Sequence, residues 1–129
     1  MAKKCDKRGK IELGKKSEEA VATWLRGRGY IVLVRNFRCR FGEIDIVARK
    51  GDVMHVVEVR SRKVGNAGVD KVEGEIVQAI SRVKLRRIRM TAMVFMNSHG
   101  YGSIDVNVLI AAVSWYNPRR FRVRIVSVW

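Results

Sequence analysis

The stretch Gly42–Arg62, GEIDIVARKGDVMHVVEVRSR, decides the fold. Its first half alternates: Ile44, Ile46 and Ala48 fall on one side and Glu43, Asp45 and Val47 on the other, the period of two of a β-strand. Its second half, Val53–Arg62, is rich in β-branched residues and reads as another strand. A short turn around Lys50 and Gly51 joins the two into an antiparallel hairpin. With Lys50 and Gly51 as a two-residue turn, Glu43 faces Glu58 and Asp45 faces Val56. Asp45 and Glu58 then become diagonal neighbours on one face, with Cα atoms about 7–8 Å apart.

Working outward, Tyr30–Phe37 (YIVLVRNF) predicts a buried strand ahead of the hairpin. Before it, Ile11, Gly14, Glu18, Val21 and Leu25 keep helical spacing over Ile11–Arg26, and Gly27 and Gly29 end that helix. A Gly-containing loop, Lys63–Gly68, leads to a second helix over Glu75–Met96. Two further strands, Ile104–Ala112 and Phe121–Val128, flank an Asn117-Pro118 turn. The order of helix, three strands, helix, strand, strand gives an α/β fold with a central mixed sheet flanked by helices. Residues 1–10 read as a flexible basic arm, and residues 11–129 as a single domain.

The chain has 129 residues and is 47% apolar, enough to fill one core. No apolar run nears the roughly 18–20 residues of a membrane span. No apolar segment follows the basic start, so a secretory signal is not expected. Cys5 and Cys39 are too few for a disulfide framework and lack zinc-site spacing, which suits free thiols in a reducing cytoplasm. His55, within a strand, reads as structural. Lys and Arg total 27 against 12 Asp and Glu, a net charge of +15. Such an excess repels itself unless a polyanion offsets it, and nucleic acid is the commonest such partner. An anionic membrane surface is the alternative, but no clean basic amphipathic helix supports it.

Three carboxylates stand where apolar residues are cheaper. Glu18 falls on the apolar stripe of the first helix, whereas Glu19 points about 100° away. Asp45 lies between Ile44 and Ile46, and Glu58 between Val57 and Val59. A buried lone carboxylate is costly without compensation, and a divalent cation compensates. The alternative is a solvated sheet face carrying a Glu43–Arg60 ion pair.

An Asp in one strand followed by Glu-x-(Lys) in the next resembles the PD-(D/E)xK restriction-endonuclease-like superfamily. The surrounding text, SEEAVATWLRGRGY, RNFRCRFGEIDIVA, VVEVRSR and IDVNVLI, resembles the uncharacterised bacterial YraN-type family, similar to archaeal Holliday-junction resolvases. The resemblance covers roughly Gly14 to Ala111, and the end from Trp115 to Trp129 fits it poorly. It implies a restriction-endonuclease-like α-β-β-β-α-β core. It also implies a Mg²⁺ (or Mn²⁺) site made by Glu18, Asp45 and Glu58, with the Val59 carbonyl as a further oxygen. Gly42 and Glu43 belong to the family's GEID motif. Arg60 occupies the superfamily's lysine position, Gln78 and Lys84 lie near a further polar site, and Asp105 matches a family aspartate. Ser17 stands where the family usually has Gly.

In the implied chemistry the metal activates water against a phosphodiester, and Arg60 stabilises charge but cannot act as a base. The basic rows Arg82, Lys84, Arg86 and Arg89, and a second cluster from Arg119 and Arg120 to Arg122 and Arg124, suit phosphate contacts rather than base reading. The expected function is a structure-selective endonuclease on branched DNA, with a homodimer implied by the related resolvases and no small-molecule cofactor. A weakly catalytic or non-catalytic DNA- or RNA-binding module on the same fold is the competing reading.

Overall fold

The computed structural model describes the backbone of residues 2–128 and the side chains of residues 9–128; Cys5 lies outside the described side chains. Eight elements follow in order: α1 (Ala2–Gly27), β1 (Ile31–Cys39), β2 (Gly42–Lys50), β3 (Val53–Lys63), α2 (Val69–Gln78), α3 (Arg82–Ser98), β4 (Asp105–Asn117) and β5 (Arg120–Ser127). The strands form one mixed sheet ordered β1-β2-β3-β4-β5, parallel only between β3 and β4. The α2–α3 crossover is what allows that parallel pair.

Two apolar layers sandwich the sheet. Val21, Ala22 and Leu25 of α1 pack on Ile46, Ala48, Val57, Leu109 and Val113. Ile88, Ala92, Phe95 and Met96 of α3 pack on Ile44, Val47, Val56 and Val108. Val72 and Ile76 of α2 pack on Ala112, on the α3 side. Strands β3 and β4 are buried on both faces, as parallel neighbours covered by helices must be.

Several sequence expectations need correction. The helix read over Glu75–Met96 is two helices, because Ser81 caps a new one: its Oγ accepts the Lys84 N–H at 3.0 Å. α1 begins at Ala2, so its backbone takes in the residues read as an arm, and Ile11 is 59% exposed rather than part of the packed stripe. β1 is a half-exposed edge strand, with Ile31 and Leu33 facing outward. The hairpin turns at Gly51-Asp52, since Lys50 still pairs with Val53 and Gly51 adopts φ 58.

Ile44 and Ile46 do not share a layer: Ile44 belongs beneath α3 and Ile46 beneath α1. Asn36, with φ 56, sits in β1 between Arg35, paired with Ile46, and Phe37, paired with Ile44. Its left-handed backbone, which Asn tolerates better than most residues, reverses the alternation there. The two strands change faces together, with Asp45 at the crossing point.

The first helix and the fourth strand are joined by a buried hydrogen bond. The Trp115 indole N–H donates to Ser17 Oγ at 2.8 Å, and Ser17 is fully buried. This explains a Ser where the sequence resemblance favours Gly. Ser17→Ala should lower stability by about 1–3 kcal/mol by orphaning the indole. In urea unfolding, Ser17→Ala combined with Trp115→Phe should cost less than the sum of the single changes.

Candidate functional site

The β2–β3 ladder ends at Ile46–Val57. Beyond it β2 pairs only with β1, and β3 only with β4. The sheet therefore forks, and the register carried one step past the ladder sets Asp45 opposite Glu58, two residues closer in register than the diagonal expected from a Lys50-Gly51 turn. Asp45 Oδ2 accepts the Val59 N–H at 2.7 Å. A carboxylate thus replaces the backbone acceptor that a continued ladder would supply.

Glu58 is 6% exposed and turns to the α3 side. Its Oε1 meets Arg60 Nε at 3.3 Å and Lys84 Nζ at 3.8 Å. Burial and the Asp45 charge nevertheless win over these cations, and the Glu58 carboxyl is pushed up to about 7. Burial likewise raises Asp45, against the Val59 hydrogen bond and assisted by Glu43. Glu18 is raised by burial and by Asp45, and its Oε1 is buried without a hydrogen-bond partner. Asp45 is therefore the shared electrostatic neighbour of Glu18, from the helix on one face, and Glu58, directed to the other. Glu19, one residue along, leaves the site and pairs with Arg35 at 2.6 Å.

Among the described residues, no three Asp, Glu, His or Cys side chains converge closely enough to hold a metal ion as they stand. The excess of raised, under-compensated carboxyls still fits a cation chemically, and the unpartnered Glu18 oxygen is the clearest sign of it.

The remaining site candidates distribute as follows. Glu43 pairs with Arg38 at 3.3 Å, not with Arg60. Gly42 holds φ 153 beneath α3, where an added Cβ would lie 3.4 Å from Thr91 Oγ1. Gln78 is exposed at the end of α2, and Asp105 is exposed at the start of β4 opposite Val53, away from the fork. Arg82, Arg86 and Arg89 are exposed on α3, and Arg119 and Arg120 on the β4–β5 turn. Arg122 and Arg124 are engaged instead by α2: Arg122 Nε meets Glu73 Oε1 at 2.9 Å and Arg124 meets Glu73 at 3.6 Å.

Glu73, 4% exposed, is a buried acid that the sequence reading missed; its place between Val72 and Ile76 on the apolar side of α2 was the available signal. His55 is core, edge-on to Tyr30 at 5.1 Å. No described helix is long and apolar enough to cross a membrane.

Comparison with known proteins finds a family for the chain. A model described as "Uncharacterised protein family UPF0102" matches residues 17–128. The chain belongs to that family. The match runs through Trp115 to residue 128, so the C-terminal hairpin, which the sequence resemblance left outside, is part of the family's domain. A UPF0102 protein of Renibacterium salmoninarum is 37% identical over 106 residues, covering 82% of this chain and 85% of the relative. Another, of Syntrophus aciditrophicus, is 33% identical over 117 residues, covering 91% and 87%. A third, of Dictyoglomus turgidum, is 39% identical over 87 residues, covering 67% and 69%.

A folded-state pKa near 7 against an ordinary 4.5 means the fold prefers protonated Glu58. That contribution is complete below pH 4.5 and is lost as pH rises through 7. Glu58→Gln keeps the neutral form at all pH. In EDTA it should match the wild type near pH 5 and exceed it by about 1–3 kcal/mol at pH 8. Thermal melts across that range check this, and an unchanged difference would mean Glu58 is already ionised at pH 5.

Proposed function

We propose that this UPF0102 protein binds nucleic acid through its basic surfaces and hydrolyses phosphodiester bonds with a divalent cation, acting on branched DNA as a structure-selective endonuclease. The observation that carries the reading is the pair Asp45 and Glu58 at the sheet fork, both raised toward neutrality, Asp45 by burial and the Glu43 charge and Glu58 by burial and the Asp45 charge. With Glu18 they would hold Mg²⁺ or Mn²⁺, with the Val59 carbonyl as the further oxygen. Bound there, the cation would lower the pKa of a water and polarise a phosphoryl oxygen.

The chain's own groups supply the rest. Arg60 and Lys84, both within 4 Å of Glu58, can neutralise charge that develops on a phosphate, but Arg60 stays protonated and takes no proton. Arg82 and Arg86, one turn apart on exposed α3, set phosphate contacts that position a backbone without reading bases.

One observation favours a weakly catalytic or non-catalytic nucleic-acid-binding module instead. The Arg60 guanidinium lies on Glu58, and among the described residues no three carboxylates converge, so internal cations already offset part of the charge.

The deciding experiment incubates linear, flapped and four-way-junction DNA with the protein in EDTA, Mg²⁺ or Mn²⁺. Cleavage should need metal and disappear in Asp45→Asn and Glu58→Gln, with DNA binding retained or tightened because negative charge is removed. Metal binding without cleavage of any substrate would select the module, and equal cleavage by wild type and variants would reveal a contaminant. With about 6–10 phosphate contacts, affinity should fall about 10³–10⁵-fold between about 50 and 200 mM salt. Arg82→Ala and Arg86→Ala should each reduce the salt slope by about one, which titrations at several salt concentrations measure.

A further inference from the structure

A second surface feature lies at the far end of β3. Past the fork, β4 is the only strand neighbour of β3 among the described residues through to Lys63, which pairs with Trp115. Glu58 and Lys63 are five residue steps apart along the strand, about 17 Å. Along that run lie two adjoining hollows that share Leu13 of α1. One, of about 320 Å³, is lined by Val59, Arg60 and Arg62. The other, of about 480 Å³, is lined by Lys16, Lys63, Trp115 and Tyr116, with Glu12 as its one carboxylate.

The second hollow is aromatic as well as basic. Tyr116 is 42% exposed, and the Arg120 guanidinium sits 5.0 Å from its ring centroid. Phe121, 41% exposed, lies 4.7 Å from the Trp115 ring. Exposed rings of this size cost solvation in a free protein. Duplex DNA presents phosphates outward and keeps its base faces stacked, so it has no use for an exposed ring beside a lysine. A single strand offers both a phosphate and an open base face, and aromatic rings interleaved with cations are the platform that binds it. The trough also starts at Arg60, where the candidate carboxylates stand, and its length fits a strand leaving that site.

We infer that the trough from Arg60 to Tyr116 holds a single-stranded segment of nucleic acid, with a base stacked on Tyr116 and phosphates at Lys16 and Lys63. The inference rests on the nucleic-acid reading above and specifies the substrate class: a junction between duplex and single strand.

The test compares a blunt fluorescent DNA duplex with the same duplex carrying a ten-nucleotide single-stranded tail, by anisotropy in EDTA. The tail should raise affinity about tenfold, near the lower end of what stacking one base on an aromatic face contributes. Tyr116→Ala should abolish the tail's gain and leave blunt-duplex affinity unchanged, while Tyr116→Phe, which keeps the ring, should retain it. Both variants replace a half-exposed side chain, and thermal melts confirm that they fold. Equal affinity for the two DNAs, or a gain that survives Tyr116→Ala, overturns the inference alone. Binding to neither DNA overturns it together with the reading on which it rests.

Discussion

The hydrogen bond from the Val59 N–H to Asp45 Oδ2 is the contact on which the candidate site depends. A sheet cannot simply stop pairing in its interior, because every buried N–H then lacks an acceptor. Here the acceptor is a carboxylate, so β2 and β3 can part without an orphaned donor. The opening that results brings α1, β2, β3 and the start of α3 to one place. The same bond supports the charged form of Asp45 against its burial, and it is that charge which, with burial, raises Glu58 and Glu18. Backbone satisfaction and site electrostatics are thus one arrangement.

The charge of the chain is managed unevenly. On the α2 side Glu73 is spent inside the fold, clamping Arg122 and Arg124 of the edge strand β5. A buried acid with two arginines is costly to desolvate but fixes where β5 sits relative to α2. The arginines of exposed α3 and of the β4–β5 turn stay at the surface. The basic groups therefore cannot be read from composition alone as one uniform polyanion-binding coat; position decides which cations serve the fold.

Much of this was legible in the residues. Period-two alternation and β-branched runs located the hairpin, and the misplacement of its turn by one step left the faces of Asp45 and Glu58 in parity because both turns hold two residues. The acidic residues inside apolar runs marked Asp45, Glu58 and Glu18 as anomalous. What was hidden depends on single backbone states or distant partners. Nothing in the text RNF announces that Asn36 turns left-handed and sends Ile44 and Ile46 to different layers. Ser81 competes with neighbours of good helix propensity, so its role as a cap shows only once α2 has ended. Ser17 looks like a departure from a family pattern until Trp115 supplies its partner.

That Ser17–Trp115 bond spans 98 positions of the chain. Glu18 is the very next residue, so the helix turn that carries it, which Val21, Ala22 and Leu25 seat on β2 and β3, gains its polar anchor only from β4. During synthesis the chain emerges from its N-terminus, and contacts between remote segments carry the loop-closure cost and form late. A partly made chain can have the β2–β3 hairpin with Asp45 and Glu58 and still lack the anchor for the third carboxylate. One polar contact of the helix turn beside Glu18 thus depends on a strand made some hundred residues later.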